Sequence, residues 1–600
     1  MVSGYMGKLL FVDLSTGRLH EETPDEALYR DYIGGYGVGA RIIYDRQEAG
    51  VDSLGPENTL GFITGPLTGT PATFGCRYTV VGKSPLTGGW GDANCGGDFG
   101  PNLKFAGYDG VFITGISEKP VYLYIDNGKA ELRDAARIWG RGTFDTNDVL
   151  QADHGKKAKI ASIGQAGERQ CLVACIMHKG GDAAGRSGLG TLMGSKKLKA
   201  VVVNGDLKVP VADIERAMSL RKKHIIELDK SFVDDMHIYG TTTHAEESVY
   251  SGDSPVKNWG GVGVVEMPDA SGINREYIKS KVDGRSGCWR CPAACKGTLQ
   301  EATGMYRYPG GTHRPEYETL AAFGCNCLIN DLDAIAMANR ICDNYGIDTI
   351  STGTIIAFAM ECYENGIITK ADTDGIELTW GNHQAMIAML EKIVKREGFG
   401  DILADGVMRA AERIGKPAEK YAVHIGGQEL GMHDPKCDFP INSSKPMAAA
   451  YQIDPTPGRH TSAFGWDQFL VYIINASGLC FMSQLLVPNP NWYMAEFLSS
   501  VTGWERSEED LHVIDERICT MRHVFGLREM SSPLDRKVHP RITGRPPQKK
   551  GPLAGKSADI EAQIYWSLGK LDWDRITTIP SKRKLLELGM DDIAQDFYPQ

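Results

Sequence analysis

Along residues 1–210 the apolar positions come in short bursts. LLFVDL, TLGFIT, RYTVVG, GVFITG, VYLYID, AKIASIG and KAVVVNG are β-branched runs bounded by Gly, Asn, Asp or Pro. That is the pattern of short strands separated by tight turns, and it predicts a β-rich domain with glycine loops. From VPVADIERAMSLRKKHIIELDK onward the apolar spacing changes to three and four, which predicts helices, with Asp213 placed as an N-cap. LDAIAMANRICDNYG, STGTIIAFAMECYENG, NHQAMIAMLEKIVKREG and ILADGVMRAAERIG continue that period and each closes on Gly, the residue favoured just past a helix end. Past residue 420 the chain is mixed, with a loop-rich stretch, HIGGQELGMHDPKCDFP, and further helical pattern in WERSEEDLHVIDERICTMRHVFG. RPPQKKGPLAGK, residues 545–556, reads as a surface linker. The expected class is α+β: a β-rich domain at 1–210, then two mainly helical domains at 211–420 and 421–600.

Composition narrows the partners. The chain has 600 residues, 42% of them hydrophobic and 24% charged, as globular proteins do. A net charge of −11 argues against nucleic acid or an anionic membrane as the main partner. No window approaches ~18 uninterrupted apolar residues, so no transmembrane helix is expected. The start, MVSGYMGKLLFVDLSTG, reads as a strand and turn rather than a signal peptide. Fourteen scattered cysteines then point to a reducing compartment, and the cytoplasm is the expected location.

The chemistry concentrates in a few motifs. CWRCPAAC places thiols at Cys288, Cys291 and Cys295. On a helix or tight helical turn, steps of three and four return to one face, so three sulfurs can converge. Pro292 stiffens the run. The geometry suits an iron–sulfur cubane, which takes four thiolates, often one of them from far away. Zinc and buried structural thiols remain the other readings. GGWGDANCGGDFG, residues 88–100, carries six glycines in thirteen positions and lets backbone N–H groups approach phosphate or a bulky cofactor, with Arg77 on the strand leading to it. GGDAAGRSGLGTLMGSKKLK, residues 180–199, repeats the theme with Arg186; it is neither a P-loop nor a dinucleotide fingerprint. PEYETLAAFG offers Glu316 and Glu318, either as acid–base groups beside a redox centre or as the first turn of a helix. His424, His433 and His460 stand in Gly/Pro-rich loops, where a lone histidine usually packs or faces solvent.

Taken together these residues resemble the tungsten-containing aldehyde:ferredoxin oxidoreductases, which bind a tungsten bis-pterin beside one 4Fe–4S cluster. The resemblance runs over nearly the whole chain. It rests on NCGG, AAGRSGLGTLMGSK, CWRCPAAC, PEYE and two loops similar to the family pattern Asp-x-x-Gly-Leu/Ile-Cys/Asp: DNYGID at 343–348 and NASGLC at 475–480. It implies that Cys288, Cys291, Cys295 and Cys480 hold the cluster. Arg77, Asn94, Gly96, Ala183, Gly185 and Arg186 would meet the pterin phosphates, with the Asn94 and Ala183 carbonyls on a bridging magnesium. Asp343, Gly346 and Asp348 would contact one pterin, and Asn475, Gly478 and Leu479 the other. Glu318 and His460, in PGRHTSA, would stand beside tungsten or molybdenum.

The implied reaction interconverts aldehydes and carboxylic acids, with His460 polarising the carbonyl and Glu318 taking a proton. Electrons would leave through the cluster to ferredoxin or a ferredoxin-like iron–sulfur subunit, with or without a flavin subunit, in an oligomeric assembly. Two alternatives share the motifs: the tungsten subunit of an aromatic acyl-CoA reductase, and a non-catalytic iron–sulfur carrier. The chain departs from the family in two places. Asn475 stands where Asp is usual and brings no charge. AIAMANRIC lacks the Glu-x-x-His pair with which some relatives bind an interfacial iron. Cys325 and Cys327 form a nearby Cys-x-Cys, expected to be two buried helix thiols. Tyr451, Phe464 and Trp466 are candidate pocket residues.

Overall fold

The computed structural model describes residues 2–415, 417–437, 446–461, 470–536 and 538–599. Phe464 and Trp466 lie outside the described residues. Every apolar burst of the N-terminal region is a strand. β1 (Leu9–Asp13), β2 (Arg18–Glu22), β3 (Leu60–Thr64), β4 (Tyr78–Lys83), β5 (Trp90–Cys95) and β6 (Gly110–Thr114) form one sheet in the order β2-β1-β6-β3-β4-β5. β7 (Val121–Asp126), β8 (Lys129–Asp134), β9 (Lys159–Ser162), β10 (Ile176–His178), β11 (Asp182–Ala184) and β12 (Leu198–Asn204) form a second, ordered β11-β10-β9-β12-β7-β8. Leu10, Val12, Phe62 and Val80 of the first sheet share one core with Leu123, Ile125, Val201 and Val203 of the second. The alternate residues Leu9, Phe11, Ile63 and Val81 bury the other face of the first sheet among helices. Burial on both faces is why these strands read as continuous apolar runs. β5 and β11 are the end strands of their sheets and pack against each other, which brings the two glycine-rich segments together.

The N-terminal region also holds helices that its sequence pattern hid. Gly35–Arg46 is one; its sequence, GYGVGARIIYDR, is too glycine-rich to signal a helix. The glycine serves packing here, because a Cβ on Gly39 would come within 2.9 Å of the Val81 side chain on β4. The helical half follows its periodicity more closely. Asp213 caps Ile214–Glu227 by accepting the Arg216 N–H at 2.8 Å. Leu332–Tyr345 closes on Gly346 at φ 70°. ILADGVMRAAERIG, however, breaks into Phe399–Leu403 and Gly406–Ile414, with Gly406 at φ 87°.

The cysteine run is not helical. It is the loop between antiparallel strands Val282–Ser286 and Lys296–Leu299, part of a small three-stranded sheet within the helical half. Cys291 N–H still closes a turn on the Cys288 carbonyl at 3.1 Å, and Arg290 and Ala294 take left-handed backbone at φ 49° and 42°. The segment at 545–556 is pinned rather than free, since Gln548 Nε2 donates to the Gly261 carbonyl at 2.9 Å. No described helix is long and apolar enough to cross a membrane.

Candidate active site

Where the two end strands meet the helical half lies a cavity of about 350 Å³. β5 contributes Asn94 and β11 contributes Ala183, followed by Gly185 and Arg186. Glu316 and Glu318 enter from the turn after the cysteine sheet, and Asp343 and Asp348 from facing helix ends. His460 closes the set from the far segment of the chain. Of the residues singled out from sequence, Asn94, Ala183, Gly185, Arg186, Asp343, Asp348, Glu318 and His460 thus share one wall system. His424 does not line it; its ring accepts the Gly427 N–H at 3.2 Å, and burial lowers its pKa to about 4. Tyr451 stands behind the wall, its hydroxyl donating to the His433 carbonyl at 2.8 Å.

His460 is fixed in place by a residue of the first glycine loop. Asp92 accepts from Arg459 at 2.6 Å, Thr456 at 2.8 Å and Arg522 at 2.7 Å, tying the 456–460 segment to β5. Burial would push the Asp92 carboxyl up, but the Arg522 and Arg459 guanidiniums outweigh it and hold it below its ordinary range.

Glu318 begins where a three-residue helix, Tyr317–Thr319, runs into an i→i+5 turn at Leu320–Cys325. Such wide turns widen the helix and re-aim the side chains at their start. The Glu318 side chain is 17% exposed; its Oε2 accepts the Met432 N–H at 2.9 Å and its Oε1 lies 3.1 Å from His460 Nδ1. Burial raises its pKa, and the nearby His433 moderates that rise. His433 Nε2 is 3.6 Å from the same Oε1, and one ligand atom from each of Glu318, His433 and His460 falls within 4.8 Å of the others. Glu316 is not a purely solvated helix start. It lines the cavity, accepts a hydrogen bond from Thr241 and lies 3.8 Å from His313.

Beside the cavity lies the thiol site, and Arg77 joins the two. Its Nη1 donates to Asn94 Oδ1 at 2.8 Å and its Nη2 to Cys480 Sγ at 3.3 Å. Its backbone N–H holds the Gly478 carbonyl at 3.0 Å, and Leu479 bridges Gly75, so the 475–480 loop is sewn onto the strand entering β4. Asn475 donates from Nδ2 to the Val471 carbonyl at 3.0 Å, a bond that a carboxylate in its place could not make. Cys288 Sγ accepts the Gly97 N–H at 3.2 Å, and a Cβ on Gly96 would sit 2.8 Å from that sulfur, so only glycine fits there.

Cys288, Cys291, Cys295 and Cys480 are partly exposed, whereas the other ten of the fourteen cysteines are buried. Burial, then Cys480 and Cys288, push the Cys291 thiol up to about 11; burial also raises Cys295, with Glu316, Cys480, Cys288 and Cys291 adding to it. Cys76, not anticipated, shares a hydrogen bond with Cys288 that favours the Cys288 thiolate. Among the described residues no three of these sulfurs lie within 4.8 Å of one another. A tetrahedral zinc, with Zn–S near ~2.3 Å, would draw them closer than that. Cys325 and Cys327 pack in the helical core instead, Cys327 Sγ lying 3.5 Å from the Gly353 carbonyl.

Comparison with known proteins places this geometry. The family model described as "Aldehyde ferredoxin oxidoreductase, N-terminal domain" matches residues 9–205, and that described as "Aldehyde ferredoxin oxidoreductase, domains 2 & 3" matches residues 219–590. The tungsten-containing aldehyde ferredoxin oxidoreductase of Pyrococcus abyssi is 36% identical over 98% of this chain and 99% of its own length. An aliphatic sulfonate oxidoreductase, WOR-like subunit, of Pyrococcus furiosus is 32% identical over 99% of this chain and 98% of its own. In structure, the active site complex BamBC of benzoyl coenzyme A reductase aligns with a TM-score of 0.84 at 26% identity, covering 100% of this chain and 99% of that one.

Proposed function

From the chain's membership of the aldehyde ferredoxin oxidoreductase family, we propose that it interconverts aldehydes and carboxylic acids at the Glu318–His460 cavity. The residues fit the large phosphorylated cofactor this requires. The Nε of the half-buried Arg77 is itself buried and has no hydrogen-bond partner among the described residues, and Arg186 lines the cavity. Asp343 and Asp348, at helix ends, offer acceptors to an N–H-rich heterocycle, as would Asn475 and Gly478 on the other side. Asn94 and Ala183, on adjoining end strands, would present backbone carbonyls to a magnesium between phosphates. Cys288, Cys291, Cys295 and Cys480 would hold a 4Fe–4S cluster. The bound tungsten or molybdenum bis-pterin supplies the two-electron redox chemistry.

The protein supplies position and proton handling. Aldehyde plus water gives acid, two protons and two electrons. His460 presents Nδ1 to Glu318; with both ring nitrogens protonated it donates from Nδ1 to that carboxylate and from Nε2 to the substrate carbonyl. Glu318 Oε1 takes a proton as water adds to the carbonyl carbon, while the Met432 N–H keeps Oε2 from turning away. The half-exposed cysteine loop is the exit for electrons, one at a time, to a ferredoxin or ferredoxin-like iron–sulfur subunit. The observation that carries this reading is the Glu318–His460 pair at 3.1 Å on the wall of the cavity. Neither a pure electron carrier nor a ring-reducing subunit needs that pair.

Elemental analysis with an aldehyde panel read by a viologen dye tests the proposal. Glu318→Gln keeps the size of the side chain and loses the base, so kcat should fall by about 10²–10⁴ with metal content retained. Near-normal turnover in that variant, fully loaded, would remove Glu318 from the chemistry. Glu316→Gln should cost less than about tenfold, because an amide oxygen still accepts from Thr241.

A further inference from the structure

Aldehyde oxidation at Glu318 leaves two neighbouring residues without a part. His433 Nδ1 lies 2.8 Å from Asp253 Oδ2, and the Asp253 side chain is fully buried. The other ring nitrogen, Nε2, lies 3.6 Å from Glu318 Oε1. The ring is clamped: Tyr317 stacks on it with centroids 4.8 Å apart, and the Tyr451 hydroxyl holds its backbone carbonyl at 2.8 Å. Tyr317, lying between the two glutamates of PEYE, also reaches the Met432 carbonyl at 2.9 Å and Asp253 at 3.4 Å. The order Asp253–His433–Glu318 is therefore a rigid, directional row. It has the logic of a carboxylate orienting an imidazole that serves a third group.

From this geometry we infer that His433, oriented by Asp253, is the positioning residue that receives the proton from Glu318 and so restores the base between turnovers. The inference rests on the reading of Glu318 as proton acceptor. Asp253 accepts from Nδ1–H and leaves the Nε2 lone pair facing Glu318. The transfer balances: the Glu318 carboxylic acid O–H breaks, Nε2–H forms, and carboxylate and imidazolium replace acid and neutral ring. Buried Asp253 stabilises the imidazolium. The other groups facing Glu318 are His460 at 3.1 Å, Arg186, whose charge favours the carboxylate, and Tyr317 and Tyr451, which stay protonated because burial raises both. His433 adds to these a base whose second nitrogen is committed to the buried Asp253 carboxylate.

Two readouts on the purified full-length holoenzyme separate this from a structural role. The first is infrared titration of the Glu318 carboxyl band, assigned by its loss in Glu318→Gln. His433→Gln should move the protonation midpoint of that band upward by about one pH unit, because an opposite charge within reach of the carboxylate has been removed. The second is chemical rescue. His433→Ala should lose about tenfold or more in kcat and regain part of it with added imidazole, saturably, and more at pH values where imidazole is neutral. An unmoved Glu318 band in His433→Gln, or a folded, metal-replete His433→Ala that imidazole leaves unchanged, would overturn the relay. The infrared test needs no substrate, so it stands even where aldehyde turnover fails, whereas full activity in Glu318→Gln would sink the earlier reading by itself.

Discussion

As the proposed base, Glu318 would set the working pH through one side chain. Its carboxyl is lifted by burial above the ordinary value of ~4.3, and as a base it works only when ionised. kcat/KM should therefore be full at neutral pH and fall as pH drops through the raised midpoint, earlier than a solvated glutamate would give. A pH–rate profile checks this: Glu318→Gln should lack that acidic limb, and its persistence would assign the limb elsewhere. At this scale the sequence was informative where a residue sat in a motif. PEYE and PGRHTSA flagged Glu318 and His460, and the cavity brings them together. His433 could not be flagged in the same way, because a histidine in a Gly/Pro-rich loop has no period, and its partner Asp253 is 180 positions away. Cys76 was equally hidden, since nothing in its own neighbourhood hints that its sulfur meets Cys288.

Single elements show which patterns speak and which stay silent. Seven of the twelve strands between Leu9 and Asn204 were legible as short apolar runs, as buried strands give, whereas β2, β5, β8, β10 and β11 were not, and β2 (RLHEE) and β8 (KAELRD) carry charged residues that stay largely outside the core. Val282–Ser286, VDGRS, has no such run and stayed invisible; the cysteine spacing was read as a helix or a tight helical turn, and it is a turn within a strand–loop–strand. Glu508–Arg528, with a capping box between Ser507 and Asp510, was clear from its length and period. It also carries a testable cost. Asp515, on this helix, accepts the Ile473 N–H at 2.9 Å, and burial pushes its carboxyl up to about 7. A carboxyl raised in the folded state binds its proton more tightly there than when unfolded. Stability should thus decline as pH climbs from about 4 to about 7, by up to ~1.4 kcal/mol per unit, reduced by solvent screening. Asp515→Asn keeps an accepting oxygen and cannot ionise. Its melting temperature should match the parent near pH 4 and exceed it at pH 8, and equal melting at both would show that the carboxyl titrates normally.

For the molecule as a whole, the two centres hang on one frame. Cys291→Ala should leave three thiolates and lower iron towards a three-iron cluster or none, whereas unchanged four-iron stoichiometry and EPR would remove Cys291 from the site. The same substitution at Cys480 and at Cys327 decides the distant ligand, with loss expected only at Cys480. The guanidinium of Arg77 touches both Asn94 at the cavity and Cys480 at the thiols. With the cofactor and cluster placed as proposed, one positive charge would be shared by an oxidising and a reducing pole, and whichever pole gained an electron first would draw on it. Two electrons released together at the cavity would then queue, since the first to reach the sulfur side would use up the attraction that favours the second. Arg77→Leu should lower the cluster's midpoint potential by tens of millivolts in an EPR redox titration, because added negative charge loses its counterweight. An unchanged potential would mean that the two poles keep separate electrostatic accounts.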